Sequence, residues 1–271
     1  TKAVVDAVGA DKVCIAGSIG NVERMDEMKK AAADLGIELT YSLGLDPYYD
    51  ISSRDEATRL RGVEYLKNIV ERVGYMGGKV ISGVSYQGWG CTDVDPVEGK
   101  KPLLENSLKS MRELVKVAAD NDITYCVEAV NRFEGCLINT AQEALDYVNA
   151  VNSPNIGILL DTYHMNIEES SFSEAIHLAG DKLVNFHTGD NNRRCPGRGH
   201  IDFDEIFKAL GDIHYTGRIV SEPFIATGGE VGNAVALWRD LEPDMSPEYR
   251  DKEAAYLLQY EKEKLAKYGL A

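Results

Sequence analysis

The sequence predicts an α/β protein, a (β/α)8 TIM barrel built as one domain over residues 1–271 with its first strand missing. Three observations predict it. Short apolar runs alternate strictly with helical patterns, as expected of a parallel sheet with right-handed crossovers. The chain has 271 residues and 44% hydrophobic content, near the size of one such barrel and enough for a large core. Four of the runs, ITYCVE, NIGILLD, KLVNFH and GRIVSE, end on a polar residue: Glu128, Asp161, His187 and Glu222. The intervals between these residues are each about one βα unit, roughly 30 residues.

In chain order, strand-like runs occupy residues 12–16, 37–43, 79–84, 123–128, 156–161, 183–187 and 218–222. Each is short, rich in β-branched or aromatic residues, and bounded by polar or glycine-containing stretches. Helical periodicity fills the gaps at residues 22–35, 54–73, 103–121, 140–151, 172–179 and 203–210, and a last helix covers 247–268. Residues 1–8 (TKAVVDAV) read as the end of a helix. No strand precedes it, so the chain is expected to be truncated or its barrel to close in another way. No linker or low-complexity segment interrupts the alternation.

Charge and cysteine content narrow the function. With 29 basic against 44 acidic residues the formal charge is −15, which disfavours nucleic acid and anionic membranes as partners. Five cysteines (Cys14, Cys91, Cys126, Cys136, Cys195) contain no CxxC pair, so neither a disulfide framework nor a zinc ribbon is expected. There is no signal peptide and no apolar run of membrane-spanning length. A soluble cytoplasmic protein is the expectation.

The four strand-ending residues read as one metal site, because residues at the carboxyl ends of successive barrel strands converge on one mouth. Three carboxylates and an imidazole suit Mn, Mg or Co better than structural zinc. Singly, each acid would more often be a turn residue or a helix cap. Four in register, in consecutive units, argue against coincidence.

Their contexts, EAVNRFEG from Glu128, DTYHMN from Asp161, HTGDNNRRCPGRG from His187 and EPF from Glu222, resemble the D-tagatose and D-psicose (D-allulose) 3-epimerase family of xylose-isomerase-like TIM barrels. The similarity runs over about residues 37–240. It implies that Glu128, Asp161, His187 and Glu222 are metal ligands, for one divalent ion with Mn first and Co or Mg as alternatives. It further implies that Glu128 and Glu222 are the acid/base pair, and that Glu134, His164 and Arg193 hold the O1 and O2 end of a ketose. Trp89, in SYQGWG, falls where a substrate-contacting aromatic is expected. The loop GCTDVDPVEGK that begins at Gly90 departs from the family's pattern, as does the absent first strand.

The chemistry agrees with the resemblance. Removing a proton beside a carbonyl leaves an enediolate, which needs positive charge already in place. Epimerisation also needs a base on each face of the carbon. The activity that the resemblance implies is metal-dependent 3-epimerisation of free ketohexoses (D-fructose/D-psicose, D-tagatose/D-sorbose) through a cis-enediolate, and the expected assembly is a homodimer or homotetramer. The rivals are an aldose–ketose isomerase on the same scaffold and, more remotely, a metal-dependent endonuclease of this fold. Several residues stay open on sequence. Trp89 is a sugar-stacking residue or a core cap; Asp190 stabilises its loop or backs a metal ligand; one of Arg193 and Arg194 is a solvated charge. The glycine-rich segment 226–233 is a turn or a phosphate loop, and His177, His200 and His214 are structural.

Overall fold

The computed structural model of the chain describes residues 12–16, 22–92 and 94–270. The inference drawn from residues 1–11 lies outside the described residues. Seven strands alternate with helices: β1 (Lys12–Ala16), α1 (Val22–Leu35), β2 (Glu38–Ser42), α2 (Glu56–Tyr75), β3 (Val80–Gly83), α3 (Lys101–Asp120), β4 (Thr124–Ala129), α4 (Ala141–Val151) and β5 (Ile156–Asp161). The series continues with α5 (Thr162–Glu168), α6 (Phe172–Ala179), β6 (Leu183–Thr188), α7 (Phe203–Asp212), β7 (Arg218–Ser221), α8 (Gly229–Ala234) and α9 (Pro247–Lys267). The strands form one sheet in chain order, and every neighbouring pair is parallel. Arg218 of β7 forms an ion pair with Glu38 of β2, so the sheet curls far enough for its distant strands to meet. This is the TIM-barrel architecture expected from the sequence, with strand bounds within one residue of the expected ones. Two short helices, α5 and α8, were not foreseen.

The helices start where the sequence offers caps. Asp55, Thr140, Ser171 and Asp202 each accept a first-turn backbone N–H with the side chain, satisfying donors that a helix start leaves unpaired. The main core lies between sheet and helices, built from residues such as Leu66, Ile81, Leu114, Tyr125, Ile158 and Phe207. Val80, Cys126 and Leu159, with Val184 against them, form a separate apolar cluster on the other face of the strands. It floors the barrel beneath the polar strand ends. No helix among the described residues is long and apolar enough to cross a membrane.

One irregularity decides which side chains meet. The β5–β6 register shifts at Ile158/Leu159, so that Ile158 pairs Leu183 while Leu159 pairs Asn185 and Asp161 pairs His187. Val184 is the extra residue. Because side chains alternate faces, a one-residue slip turns a strand inside out; without the bulge Phe186 would lie level with Asp161. Gly157 makes the bulge possible, since a Cβ there would sit 2.3 Å from Val184 Cγ2.

Candidate metal centre and substrate cavity

The four strand-ending residues do converge. Glu128 (β4), Asp161 (β5), His187 (β6) and Glu222, one residue past β7, each offer a ligand atom, and all four atoms lie within 4.8 Å of one another. Glu128, Asp161 and His187 are buried. Three carboxylates in such a space repel one another in a medium that screens poorly. The group can hold a cation, and His187 fits the same reading: Nδ1 is buried with no hydrogen-bond partner, 3.7 Å from Glu222 Oε2 and 4.0 Å from Asp161 Oδ2. An orphaned buried nitrogen facing two carboxylates fits a ligand position. The oxygen-rich donor set fits a hard or borderline divalent ion.

The electrostatics of the donor set are those of mutual frustration. Burial pushes the Glu128 carboxyl up to about 8; His187 opposes this, while Glu222 and Asp161 add to it. Burial acts the same way on Asp161, but Arg193, His164, His187 and the Tyr163 N–H outweigh it and hold the carboxyl below its ordinary range. For His187, burial favours the neutral ring, yet Glu222, Glu128 and Asp161 raise it to about 9. A divalent cation among these oxygens would replace protons as the source of positive charge.

Asp161 does two things at once. Its Oδ1 accepts the N–H groups of Tyr163, at 2.7 Å, and His164, at 3.4 Å, capping α5, while Oδ2 accepts from Arg193 Nη1 at 3.1 Å. Cap and ligand-set member are therefore compatible readings of one side chain. The same cap places His164 in the first turn of α5.

Beside the carboxylates lies a polar chain through Trp89, Glu134, His164 and Arg193, the substrate-contact residues that the resemblance implies. The Trp89 Nε1–H donates to Glu134 Oε2 at 3.1 Å; Asn131 Nδ2 donates to Glu134 Oε1 at 2.9 Å. The Asn131 backbone N–H donates to His164 Nδ1 at 3.1 Å. A backbone N–H can only donate, so Nδ1 accepts and the proton of neutral His164 sits on Nε2. Burial keeps that ring neutral, lowering its pKa against the pull of Asp161. The Nε2 proton faces Arg193 Nη2 at 3.1 Å and Glu128 Oε1 at 3.7 Å. Two donors this close cannot satisfy each other. An oxygen acceptor placed before both would.

Arg193 is held there under strain. Its φ is 62°, a left-handed conformation rarely adopted by residues other than Gly, Asn and Asp, and one that functional sites tend to store. The loop is wound by Asp190, whose carboxylate accepts the N–H groups of Asn191, Gly197, Gly199 and Ile201. Asp190 is thus the loop-stabilising acid of the two readings. Arg193 lies over the ring of Tyr163, 4.0 Å from its centroid, while Arg194 turns away and forks onto Glu242 at 2.7 and 2.9 Å. Arg194 is a structural ion pair, not a solvated charge.

Glu128, His187 and Glu222, with Glu134, His164 and Arg193, line one cavity of about 650 Å³. Its far wall is apolar: Leu43, Val84, Val130, Phe224, and Val231, Ala234 and Val235 from and after α8. Trp89 belongs to that wall, and Gly44 makes room for its indole, since a Cβ there would lie 2.7 Å from Cε3. The glycine-rich segment 226–233 thus contributes Val231 to the apolar wall. Asn131 was missed at the sequence level. It stands at the head of NRFE, where its side chain donates to Glu134 and its backbone N–H donates to His164.

Comparison with known proteins agrees with this geometry. Residues 11–252 match the family model described as a xylose isomerase-like TIM barrel. The chain is 39% identical over 237 residues to a D-psicose 3-epimerase of Ruminiclostridium cellulolyticum, covering 88% of this chain and 80% of that one. It is also 39% identical over 214 residues to a D-psicose 3-epimerase of Agrobacterium fabrum, with 79% and 74% coverage. The solved structure of D-psicose 3-epimerase with D-tagatose from Clostridium cellulolyticum superposes with a TM-score of 0.91 at 37% identity, covering 97% of this chain and 92% of that one. An L-ribulose 3-epimerase structure superposes with a TM-score of 0.90 at 30% identity, with 98% and 88% coverage. The chain belongs to the xylose isomerase-like TIM barrel family and, within it, to the ketose 3-epimerases, a group of carbohydrate isomerases.

Proposed function

We propose that the protein interconverts free ketohexoses epimeric at C3, D-fructose with D-psicose and D-tagatose with D-sorbose, with one divalent ion, Mn in the first place and Co or Mg as alternatives, held by Glu128, Asp161, His187 and Glu222. The observation that carries the reading is the meeting of two glutamates, one in β4 and one just past β7, in one donor set beside a converging pair of hydrogen-bond donors. When bound, the ion would act as a Lewis acid on the carbonyl end of the sugar. The chain's own residues do the rest. His164 Nε2–H and Arg193 Nη2–H hold the O1 and O2 end, Glu134 is aligned for it by Trp89 and Asn131, and the apolar wall around Trp89 and Leu43 excludes water from the remainder.

Glu128 and Glu222 then serve opposite faces of C3. One carboxylate takes the C3 proton as the enediolate forms, and the other returns a proton from the second face. Burial raises the Glu128 pKa and a neighbouring cation would lower it again; the two effects together favour a carboxyl able both to take and to give a proton near neutral pH. The free rather than phosphorylated sugar is supported by the lining. Arg193 is the one Lys or Arg among the described cavity residues, and it is already engaged with Asp161 and Glu222. A cytoplasmic homodimer or homotetramer completes the reading; Phe133 and Trp238, 74% and 75% exposed, are side chains of the kind that subunit contacts cover. The test is a panel of free ketoses given to chelator-treated protein, alone and with Mn, Co or Mg, with products identified by chromatography. Conversion of each ketose to its C3 epimer only when metal is present is the expected result. Equal conversion without metal, or an aldose product, would defeat the proposal.

A further inference from the structure

Beneath the metal centre a buried acid from the C-terminal helix has no part in the chemistry above. Glu261 of α9 is only 8% exposed. Its Oε1 accepts from Thr188 Oγ1 at 2.5 Å and from Ser221 Oγ at 2.6 Å, and the two hydroxyls lie 2.7 Å apart. Thr188 and Ser221 are register partners on β6 and β7. Thr188 follows His187, and Ser221 precedes Glu222. Successive strand residues point to opposite faces, so Glu261 grips from outside the two strand tips whose inward neighbours are two of the four proposed ligands.

We infer that Glu261 is a positioning residue for the metal centre, setting the His187–Glu222 spacing through the hydroxyls of Thr188 and Ser221. The inference rests on the metal-centre reading given above. A carboxyl buried without a cationic partner is costly, and none of the groups acting on Glu261 is basic; burial raises its pKa and the two hydroxyls lower it. Helix anchoring alone would be served by an apolar side chain. Three short contacts at the tips of β6 and β7 serve alignment.

The experiment measures Mn(II) affinity of the purified full chain by calorimetry, with Tm of the metal-free protein alongside. Glu261→Ala is expected to weaken Mn(II) binding about tenfold or more, the range typical of residues that orient metal ligands from behind. Glu261→Gln, which keeps an oxygen for both hydroxyls, should restore affinity to within about twofold of the parent, as is usual when a hydrogen-bonded group is replaced by one that accepts the same bonds. Glu253→Ala is the control, because Glu253 is the other buried acid of α9 and binds Arg198 instead; it should lower Tm and leave affinity unchanged. If Glu261→Ala does not fold, Thr188→Val against Thr188→Ser carries the same contrast. An unchanged Mn(II) affinity in Glu261→Ala, a Gln variant as damaged as Ala, or an equal loss in Glu253→Ala would each overturn the inference. A parent chain that binds no Mn(II) would instead defeat the metal-centre reading itself.

Discussion

The two halves of the barrel mouth are built from opposite chemistries. Strands β4 to β6 carry Glu128, Asp161 and His187 at or next to their last residue, and Glu222 lies just beyond β7, whereas β2 is followed by Leu43 and Gly44, and β3 ends in Gly83 with Val84 after it. The acidic half is tightly specified: a bulge, a helix cap and a strained Arg193 all serve its geometry. The apolar half offers shape. Under the proposed function, the contrast assigns the reaction to one half and the fit of the sugar to the other, so substitutions in the two halves should fail in different ways.

The largest effects should come from the acidic half. Glu128→Gln or Glu222→Gln is expected to cut epimerisation by about 10²- to 10⁴-fold, the worth of general acid/base catalysis, before any loss of metal is added. Steady-state kinetics with saturating Mn would show it as a fall in kcat; a change confined to KM would move that glutamate out of the chemistry. His187→Ala should act on metal occupancy, measured after gel filtration, more than on the folded circular-dichroism spectrum.

Arg193→Ala should cost less. Loss of a hydrogen bond to a charged group is worth about 1.5–3 kcal/mol, so kcat/KM should drop roughly 10- to 100-fold for every ketose tested. Unchanged kcat/KM would assign Arg193 to holding Asp161 and Glu222 alone. Gly157→Ala attacks the same half from the scaffold. A new Cβ against Val184 should destabilise by about 1–3 kcal/mol, as overpacking does, and activity should fall further than stability because the bulge sets the register of His187. Equal stability and activity in the variant would show that the bulge accommodates the methyl group.

The smallest effect belongs to the apolar half. Trp89→Phe keeps an aromatic wall and loses one hydrogen bond to Glu134, a change of about 1 kcal/mol. It should raise KM a few-fold and alter the ranking of ketoses while leaving kcat nearly intact. A collapse of kcat would break the division between the halves.

The legibility of the sequence divides along the same line. The convergence of Glu128, Asp161, His187 and Glu222 was legible because strand ends in a parallel barrel face one mouth, and four polar endings at unit spacing leave few alternatives. His164 and Arg193 were legible only through the resemblance of DTYHMN and HTGDNNR, since a lone histidine or arginine near a strand end carries little signal. Asn131 was not singled out, because its part is played as much by its backbone N–H as by its side chain. Neither was Glu261, whose partners lie far away along the chain. The Val184 bulge was hidden because a buried strand without alternating polarity does not announce its register. The helix α5 was hidden because Asp161 reads as a strand end, when it is also the N-terminal cap of that helix.

The central claim is that two glutamates on opposite faces exchange the proton at C3, and turnover in deuterated water tests it directly. With Mn-loaded protein and D-fructose, the D-psicose formed should carry one deuterium at C3, read by proton NMR, because the group that takes the first proton is not the group that returns the second. Deuterium at C1 or C2 with none at C3 would contradict the account and favour aldose–ketose isomerisation.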